Sequence, residues 1–180
     1  GGQIGDSGRV LSTKGEFHVY DTQKKGGSYL LFGKQIKGAL SIGDSTNAEI
    51  DKAKRENIKL NHSATHLLHS ALIKNIGTSV QQKGSLVSDE KLRFDFSCEK
   101  PIKREVLNTI EIEVNKNIEK KIPASTKIMN KDQAISAGAI ALFGEKYDET
   151  VRVLSFGDVS TELCGGTHVN NTGDIGVFKI

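Results

Sequence analysis

Tryptophan is absent from this sequence of 180 residues, aromatic residues make up 6% of it, and it has two prolines and one methionine. Most of any hydrophobic core must therefore come from Ile, Leu, Val and Ala, in one domain or two small ones. No apolar run approaches the roughly 18–20 residues that cross a bilayer. The first residues are neither basic nor apolar, so no signal peptide is predicted, and without an initiator Met we expect a processed chain or a piece of a longer protein.

Cysteine and charge also limit the interpretation. The two cysteines, Cys98 and Cys164, are too few for a disulfide framework, and we expect Cys98 to be a free thiol in a reducing, cytoplasmic environment. The net charge is +3, and the basic residues lie in short groups. This balance permits a polyanionic partner such as a nucleic acid without requiring one.

Residues 1–48 are predicted to form a small subdomain of strands. The stretches RVLS, EFHVYD and SYLLFGKQ are separated by glycine-containing turns, and none has a helical period. We expect an antiparallel sheet or a small β-barrel, incomplete at its N-terminus.

Residues 49–180 are predicted to form an α+β domain, truncated at its C-terminus, in which helices pack on one face of an antiparallel sheet. The stretch 47–57 favours helix. A helix is then expected between an Asn61 cap and a Gly77 stop, and a longer one from Pro101 with an apolar residue at every fourth position. Another short helix should follow an Asn130 cap. Strands are predicted over 91–97, 122–129, 150–157 and 173–180.

Two matched pairs of residues suggest a metal site. His62 and His66 are four residues apart on the predicted helix, so their rings project from the same face. Cys164 and His168 are also four apart, across two glycines that let the backbone fold closely. One thiolate and three imidazoles form a ligand set that suits Zn²⁺.

Other interpretations of these residues are weaker. His69 is interpreted as a structural histidine or one beside the ligands, and His18 as a strand residue. A metalloprotease would need Glu directly after the first histidine as general base, and Ser63 stands there. A purely structural zinc site stays open, although such sites usually contain more cysteines at tighter spacing.

An ordered series of motifs resembles the editing domain of alanyl-tRNA synthetase. These motifs are LNHSATHLLHSAL, QQKGSLVSDEKLRFDFS, GAIALFGEKYDETVRVLSFGDVSTELCGGTHV and TGDIGVFKI. The opening GGQIGDSG resembles the entry to the small β-barrel that precedes that domain. Threonyl-tRNA synthetase has a related editing domain, with CxGPH where this chain has CGGTH, and free-standing AlaX-type editing proteins share the fold.

The resemblance implies a hydrolase that removes serine or glycine from mischarged tRNA(Ala), within a protein that also carries aminoacylation and C-terminal domains. It implies zinc ligands at His62, His66, Cys164 and His168, and catalytic residues at Thr65, Gln82 and Cys164. Thr65 and Gln82 would also bind the substrate. The alternative for Thr65 is a helix threonine bonded to its own backbone, which is common.

Two roles for the zinc and two other functions stay open from the sequence. Zinc could activate a water or orient the substrate, and four protein ligands without an adjacent carboxylate favour orientation. The alternatives to a synthetase editing domain are a free-standing AlaX-type deacylase and a zinc-stabilised tRNA-binding module without catalysis.

Overall fold

The computed structural model describes residues 2–141 and 147–180, and the chain divides into two compact units. Ile4–Asn57 forms one unit, and Ile58–Ile180 with residues 2–3 forms the other. The part of the third motif at 142–146 lies outside the described residues. The domain limits 1–48 and 49–180 stay a prediction.

The unit Ile4–Asn57 contains a four-stranded antiparallel sheet in the order β3-β2-β1-β4. Its strands are β1 Gly8–Leu11, β2 Gly15–Lys25, β3 Ser28–Gly38 and β4 Asn47–Ile50. Of the two predicted forms, sheet or barrel, the described strands form the open sheet, with β3 and β4 at its edges. The helix expected over 47–57 is wrong at its start, because residues 47–50 pair with β1.

Helix α1 runs without interruption through Lys52–Ile76. The Asp51 side chain caps its first turn by accepting a backbone N–H at 3.0 Å. The expected cap at Asn61 is therefore wrong, since Asn61 lies inside the helix. The predicted stop is confirmed, because Gly77 adopts φ +120° directly after the last helical residue.

The described residues of the other unit form a two-stranded and a three-stranded antiparallel sheet, β5-β6 and β7-β8-β9, and two further α-helices. These elements are β5 Gln81–Val87, β6 Leu92–Ser97, α2 Arg104–Glu119, β7 Ala124–Asn130, α3 Lys131–Ser136, β8 Thr150–Phe156 and β9 Ser160–Leu163. The predicted α+β class is confirmed, whereas β9 was not predicted.

Three local features test the capping predictions. Pro101 lies before α2 rather than in its first turn, because Lys103 is the capping residue. Asn130 caps α3 as predicted, accepting two backbone N–H groups. The strand expected over 173–180 is wrong, since a capping box begins a short 3-10 helix at Thr172–Ile175.

The main core of this unit lies between α1, α2 and β8. It combines Leu67 and Leu72 of α1 with Ile110 and Val114 of α2, all at most 2% exposed. Phe156 of β8 joins the same cluster, so the predicted apolar stripe of α2 faces the core.

A second apolar cluster shows that the helices do not all lie on one face of the three-stranded sheet. Val151 and Val153 of β8 pack with Ala134 of α3, whereas Leu154 and Phe156 belong to the main core. Because successive strand residues point to opposite faces, α3 covers the face opposite α1 and α2. None of the described helices is long and apolar enough to span a membrane.

Candidate metal centre

The four predicted ligands lie together. One ligand atom each from His62, His66, Cys164 and His168 falls within 4.8 Å of every other one. Three of the side chains are buried and His168 is partly buried. The structure therefore contains a cluster that could hold a metal ion, built from two stretches about a hundred residues apart.

Three distances in the cluster are compatible with a tetrahedral zinc site. With bonds of about 2.0–2.1 Å to nitrogen and 2.3 Å to sulfur, the ligand atoms lie about 3.3 Å (N···N) and about 3.6 Å (N···S) apart. Cys164 Sγ lies 3.5 Å from His62 Nε2 and 3.4 Å from His168 Nε2. His66 Nε2 lies 3.2 Å from His168 Nε2. Three of the six edges thus match the expected lengths.

The helix α1 supplies two ligands from consecutive turns. The rings of His62 and His66 are nearly parallel, with centroids 5.2 Å apart and planes inclined at 17°. Leu67 and Leu72 anchor the same helix in the main core. The ligand pair is therefore carried by the best-packed helix of this unit.

The loop after strand β9 carries the other two ligands, since β9 ends at Leu163, immediately before Cys164. Arg152 of β8 donates from Nη1 to the carbonyls of Cys164 and Gly166, at 2.9 and 2.8 Å. The Val169 N–H donates to Ser63 Oγ at 3.0 Å. Ser63 stands where a metalloprotease motif would have glutamate. Its hydrogen bond connects α1 to the loop that carries Cys164 and His168.

Gly166 is required by the close approach of the loop to α1. A Cβ built at this position would overlap the His62 ring and lie 2.9 Å from the side-chain oxygen of Gln3. A Cβ at the neighbouring Gly165 would meet nothing within 4 Å. Only the second glycine of CGGTH therefore has a packing role here.

Both helix histidines have an oxygen at Nδ1, the ring nitrogen on the side away from the cluster. His62 Nδ1 lies 2.7 Å from Gln3 Oε1, and His66 Nδ1 lies 3.0 Å from Glu162 Oε2. The hydrogen bond to Gln3 orients the His62 ring so that its Nε2 is left for a ligand, whereas Glu162 lies against His66 as an ion-pair partner. No motif in the sequence predicted a role for Gln3 or Glu162. The available signal for Glu162 was a carboxylate two residues before Cys164.

The carboxylate of Glu162 is 2% exposed and is shared by several groups. Its Oε1 accepts from Ser160 Oγ at 3.0 Å and lies 3.2 Å from His69 Nδ1. His69, predicted to be structural or beside the ligands, is thus joined to His66 through one carboxylate.

Burial and neighbouring charges have opposite effects on the pKa values of His66 and Glu162. Burial opposes the charged form of His66, but the carboxylate of Glu162 and the Cys164 sulfur outweigh it and raise the pKa of His66 to about 10. Burial likewise opposes ionisation of Glu162, but His66 and His69 hold the pKa of its carboxyl well below the usual range. The two groups therefore form a buried ion pair at neutral pH when no metal is bound.

The two loop ligands are in the protonation states that a metal requires. Burial would raise the pKa of the Cys164 thiol, but its contacts with His168 and His62 lower that pKa far below its ordinary value. Burial lowers the pKa of His168 to about 4, against the opposing effect of Cys164. At neutral pH the loop therefore offers a thiolate and a neutral imidazole.

The two residues predicted to contact the substrate lie in different settings. Thr65 is buried, and its hydroxyl donates to the Asn61 carbonyl at 2.8 Å. This is the bond to the helix backbone that the sequence analysis gave as the alternative to a catalytic role. Gln82, in β5, lines a cavity of about 370 Å³. His69 and Ile140 line the same cavity. His69 therefore links it to Glu162 and the ligand cluster.

Two other residues named from the sequence lie away from this cluster. His18 is an exposed residue of β2, with its ring edge against Tyr20 at a centroid distance of 5.0 Å. Cys98 is exposed and free.

A comparison with protein families matches residues 151–180 to the family described as threonyl and alanyl tRNA synthetase second additional domain. The matched segment contains β8 without its first residue, β9, the ligands Cys164 and His168, and Glu162. The histidines of α1 lie outside it. The match relates the segment that carries Cys164 and His168 to this synthetase-associated family.

The packing of Gly166 predicts a sharp difference between neighbouring variants. Gly166→Ala should displace the His62 ring, weaken zinc binding more than tenfold and destabilise the fold by about 1–3 kcal/mol. Gly165→Ala, the matched control, should change stability by less than about 0.5 kcal/mol. Chelator competition and chemical denaturation would measure both. Equal behaviour of the two variants would contradict the assigned contact.

The His66–Glu162 pair predicts a pH-dependent stability difference in the metal-free chain. The pair contributes fully above the ordinary Glu pKa of 4.5 and below the ordinary His pKa of 6.5. Its contribution is lost as the pH rises toward about 10, where His66 deprotonates. Glu162→Gln should therefore lower the free energy of unfolding more at about pH 5.5 than at about pH 9.5, by more than about 1 kcal/mol.

Chemical denaturation at the two pH values would measure this difference. Glu113→Gln is the control, since it removes a carboxylate whose partner, Lys74, has a side chain 68% exposed. The control should change stability by at most about 1 kcal/mol at either pH. A Glu162→Gln effect that is constant, or larger at the higher pH, would exclude the ion pair.

Proposed function

We propose that this chain is a zinc-dependent aminoacyl-tRNA deacylase that hydrolyses the ester of Ser-tRNA(Ala) and Gly-tRNA(Ala), as the editing part of an alanyl-tRNA synthetase. The observation that carries the proposal is the convergence of His62, His66, Cys164 and His168 within 4.8 Å. The synthetase-associated family match over residues 151–180 supports it independently.

The proposed activity answers a selectivity problem. A pocket for alanine cannot exclude the smaller glycine by size, and a mostly apolar pocket rejects the added hydroxyl of serine only weakly. A second site that hydrolyses the wrong ester corrects the error. In a site with several polar groups, the serine hydroxyl becomes a favourable feature, because it satisfies groups that alanine leaves unpaired.

When bound, zinc would supply a positive charge that orients or polarises the amino acid end of the substrate. Gln3 and Glu162 hold the two helix histidines in place for it through their Nδ1 atoms. Arg152 holds the loop ligands through two carbonyls. These contacts fix the ligands before the substrate arrives, which is what transition-state stabilisation requires.

Gln82 is proposed to bind the substrate in the cavity that it lines with His69. A volume of about 370 Å³ lies in the range of small-ligand sites. The Gln82 amide offers both a donor and an acceptor to an amino acid or ribose hydroxyl.

Thr65 is proposed to act as a hydrogen-bond acceptor. Its only proton is already donated to the Asn61 carbonyl, but a hydroxyl oxygen also has two lone pairs. Thr65 can therefore receive a proton from the amino or hydroxyl group of a substrate without losing its backbone bond. This assignment reconciles its backbone bond with a role in substrate binding.

The proposed function predicts the effect of removing the thiolate ligand. The full chain should release serine from serine-charged tRNA(Ala) and spare alanine. Cys164→Ala should lose zinc and lower kcat/KM at least about 100-fold, while keeping most of the tRNA affinity. Hydrolysis of both charged tRNAs, zinc content and tRNA binding would be measured together.

Cys98→Ala is the matched control, because it removes the exposed thiol and leaves the cluster intact. Its zinc content and activity should equal those of the unmodified chain. An unmodified chain that binds zinc and tRNA without releasing serine would contradict the deacylase and indicate the tRNA-binding module. A fully active Cys164→Ala variant would contradict the ligand assignment.

Gln82 gives a prediction that separates catalysis from metal binding. Gln82→Ala should lower kcat/KM for serine release at least about tenfold, because the substrate loses a polar partner, while the zinc content stays unchanged. Gln23→Ala, in strand β2 of the other unit, is the control. Unchanged hydrolysis in Gln82→Ala would remove this residue from the proposed site.

A further inference from the structure

Gln3 is a polar side chain whose oxygen contacts both halves of the candidate metal centre. Its Oε1 lies 2.7 Å from His62 Nδ1 and accepts the Thr167 backbone N–H at 2.9 Å. It also accepts the Thr167 hydroxyl at 3.1 Å. Thr167 lies between the ligands Cys164 and His168, so a single oxygen contacts the helix that supplies two ligands and the loop that supplies the others.

The backbone holds this side chain in place. The Val87 N–H donates to the Gly2 carbonyl at 2.7 Å, and Gln3 forms a parallel bridge with Val87 at the end of β5. Gly2 has φ +81°, and a Cβ there would lie 2.7 Å from the side chain of Ser85. This segment is therefore fixed beside β5, at a glycine that admits the close approach.

The Gln3 oxygen determines which nitrogen of His62 carries a proton. A carbonyl oxygen can only accept a hydrogen bond, so its contact with Nδ1 requires an Nδ1–H donor. In the neutral ring this leaves the Nε2 lone pair free, and Nε2 is the atom 3.5 Å from Cys164 Sγ. At His66 the neighbour of Nδ1 is instead the charged carboxylate of Glu162, 3.0 Å away.

We propose that Gln3 is a positioning residue of the metal centre, which sets the tautomer and orientation of His62 and fixes the Cys164–His168 loop through Thr167. The inference rests on the zinc site of the proposed function. It assigns a role to the GGQ stretch, which lies 59 positions before the first ligand.

Two substitutions separate an acceptor role from simple packing. Gln3→Leu keeps a side chain of similar size without an acceptor and should weaken zinc binding about 10–100-fold. Gln3→Glu keeps an acceptor oxygen and should retain most of the affinity. Chelator competition on the full chain would measure both, and Gln23→Leu, on the β2–β3 hairpin, is the control. Unchanged affinity in Gln3→Leu, or equal losses in both Gln3 variants, would overturn the proposal.

A second readout needs neither metal nor activity. In the metal-free chain, nuclear magnetic resonance should show a slowly exchanging proton on His62 Nδ1, which Gln3→Leu loses and Gln3→Glu keeps. Absence of this proton in the unmodified chain, or its persistence in Gln3→Leu, would overturn the role of Gln3. A chain that shows the expected proton pattern but binds no zinc would instead refute the zinc site, so the two failures are distinguishable.

Discussion

The unit formed by Ile58–Ile180 with residues 2–3 depends on contacts among polar groups that are buried in its core. His62, His66, His69 and Glu162 are each at most 4% exposed, and the Cys164 sulfur lies among them. Burial of such groups costs several kcal/mol each unless they find partners. Here the Glu162 carboxylate lies beside His66 and His69, and the Cys164 sulfur lies within 3.5 Å of two imidazole nitrogens. The cluster can therefore exist only while α1 and the loop after β9 are docked, and this constraint joins the fold to the site.

The contacts around the cluster form two sets with different tasks. Facing inward, three imidazole nitrogens and one sulfur converge at distances suited to a tetrahedral ion. Facing outward, the Gln3 oxygen and the Glu162 carboxylate lie against the helix histidines, and Arg152 donates to the loop that carries the other two ligands. The outer set restrains the ligand side chains without help from a substrate. Substrate binding then does not have to supply the free energy that orders the ligands.

Local patterns predicted the parts of this structure that depend on neighbouring residues. The apolar stripe of α2, the Gly77 stop and the two ligand pairs all rest on spacings of a few positions, and the structure brings the pairs together. The helix expected to start at Asn61 instead starts at Lys52, because Asp51 supplies an earlier cap. Gln3 and Glu162 could not be found by spacing, since they contact residues 59 and 96 positions away. Contacts of that range follow from tertiary packing, which no short motif encodes.

The central claim is that His62, His66, Cys164 and His168 bind one zinc ion. Zinc K-edge X-ray absorption on the zinc-loaded full chain tests it most directly, because sulfur and nitrogen scatterers differ in distance and strength. The account predicts three nitrogen ligands at about 2.0–2.1 Å and one sulfur ligand at about 2.3 Å. A shell of nitrogen and oxygen alone, or a chain that takes up no zinc, would contradict it.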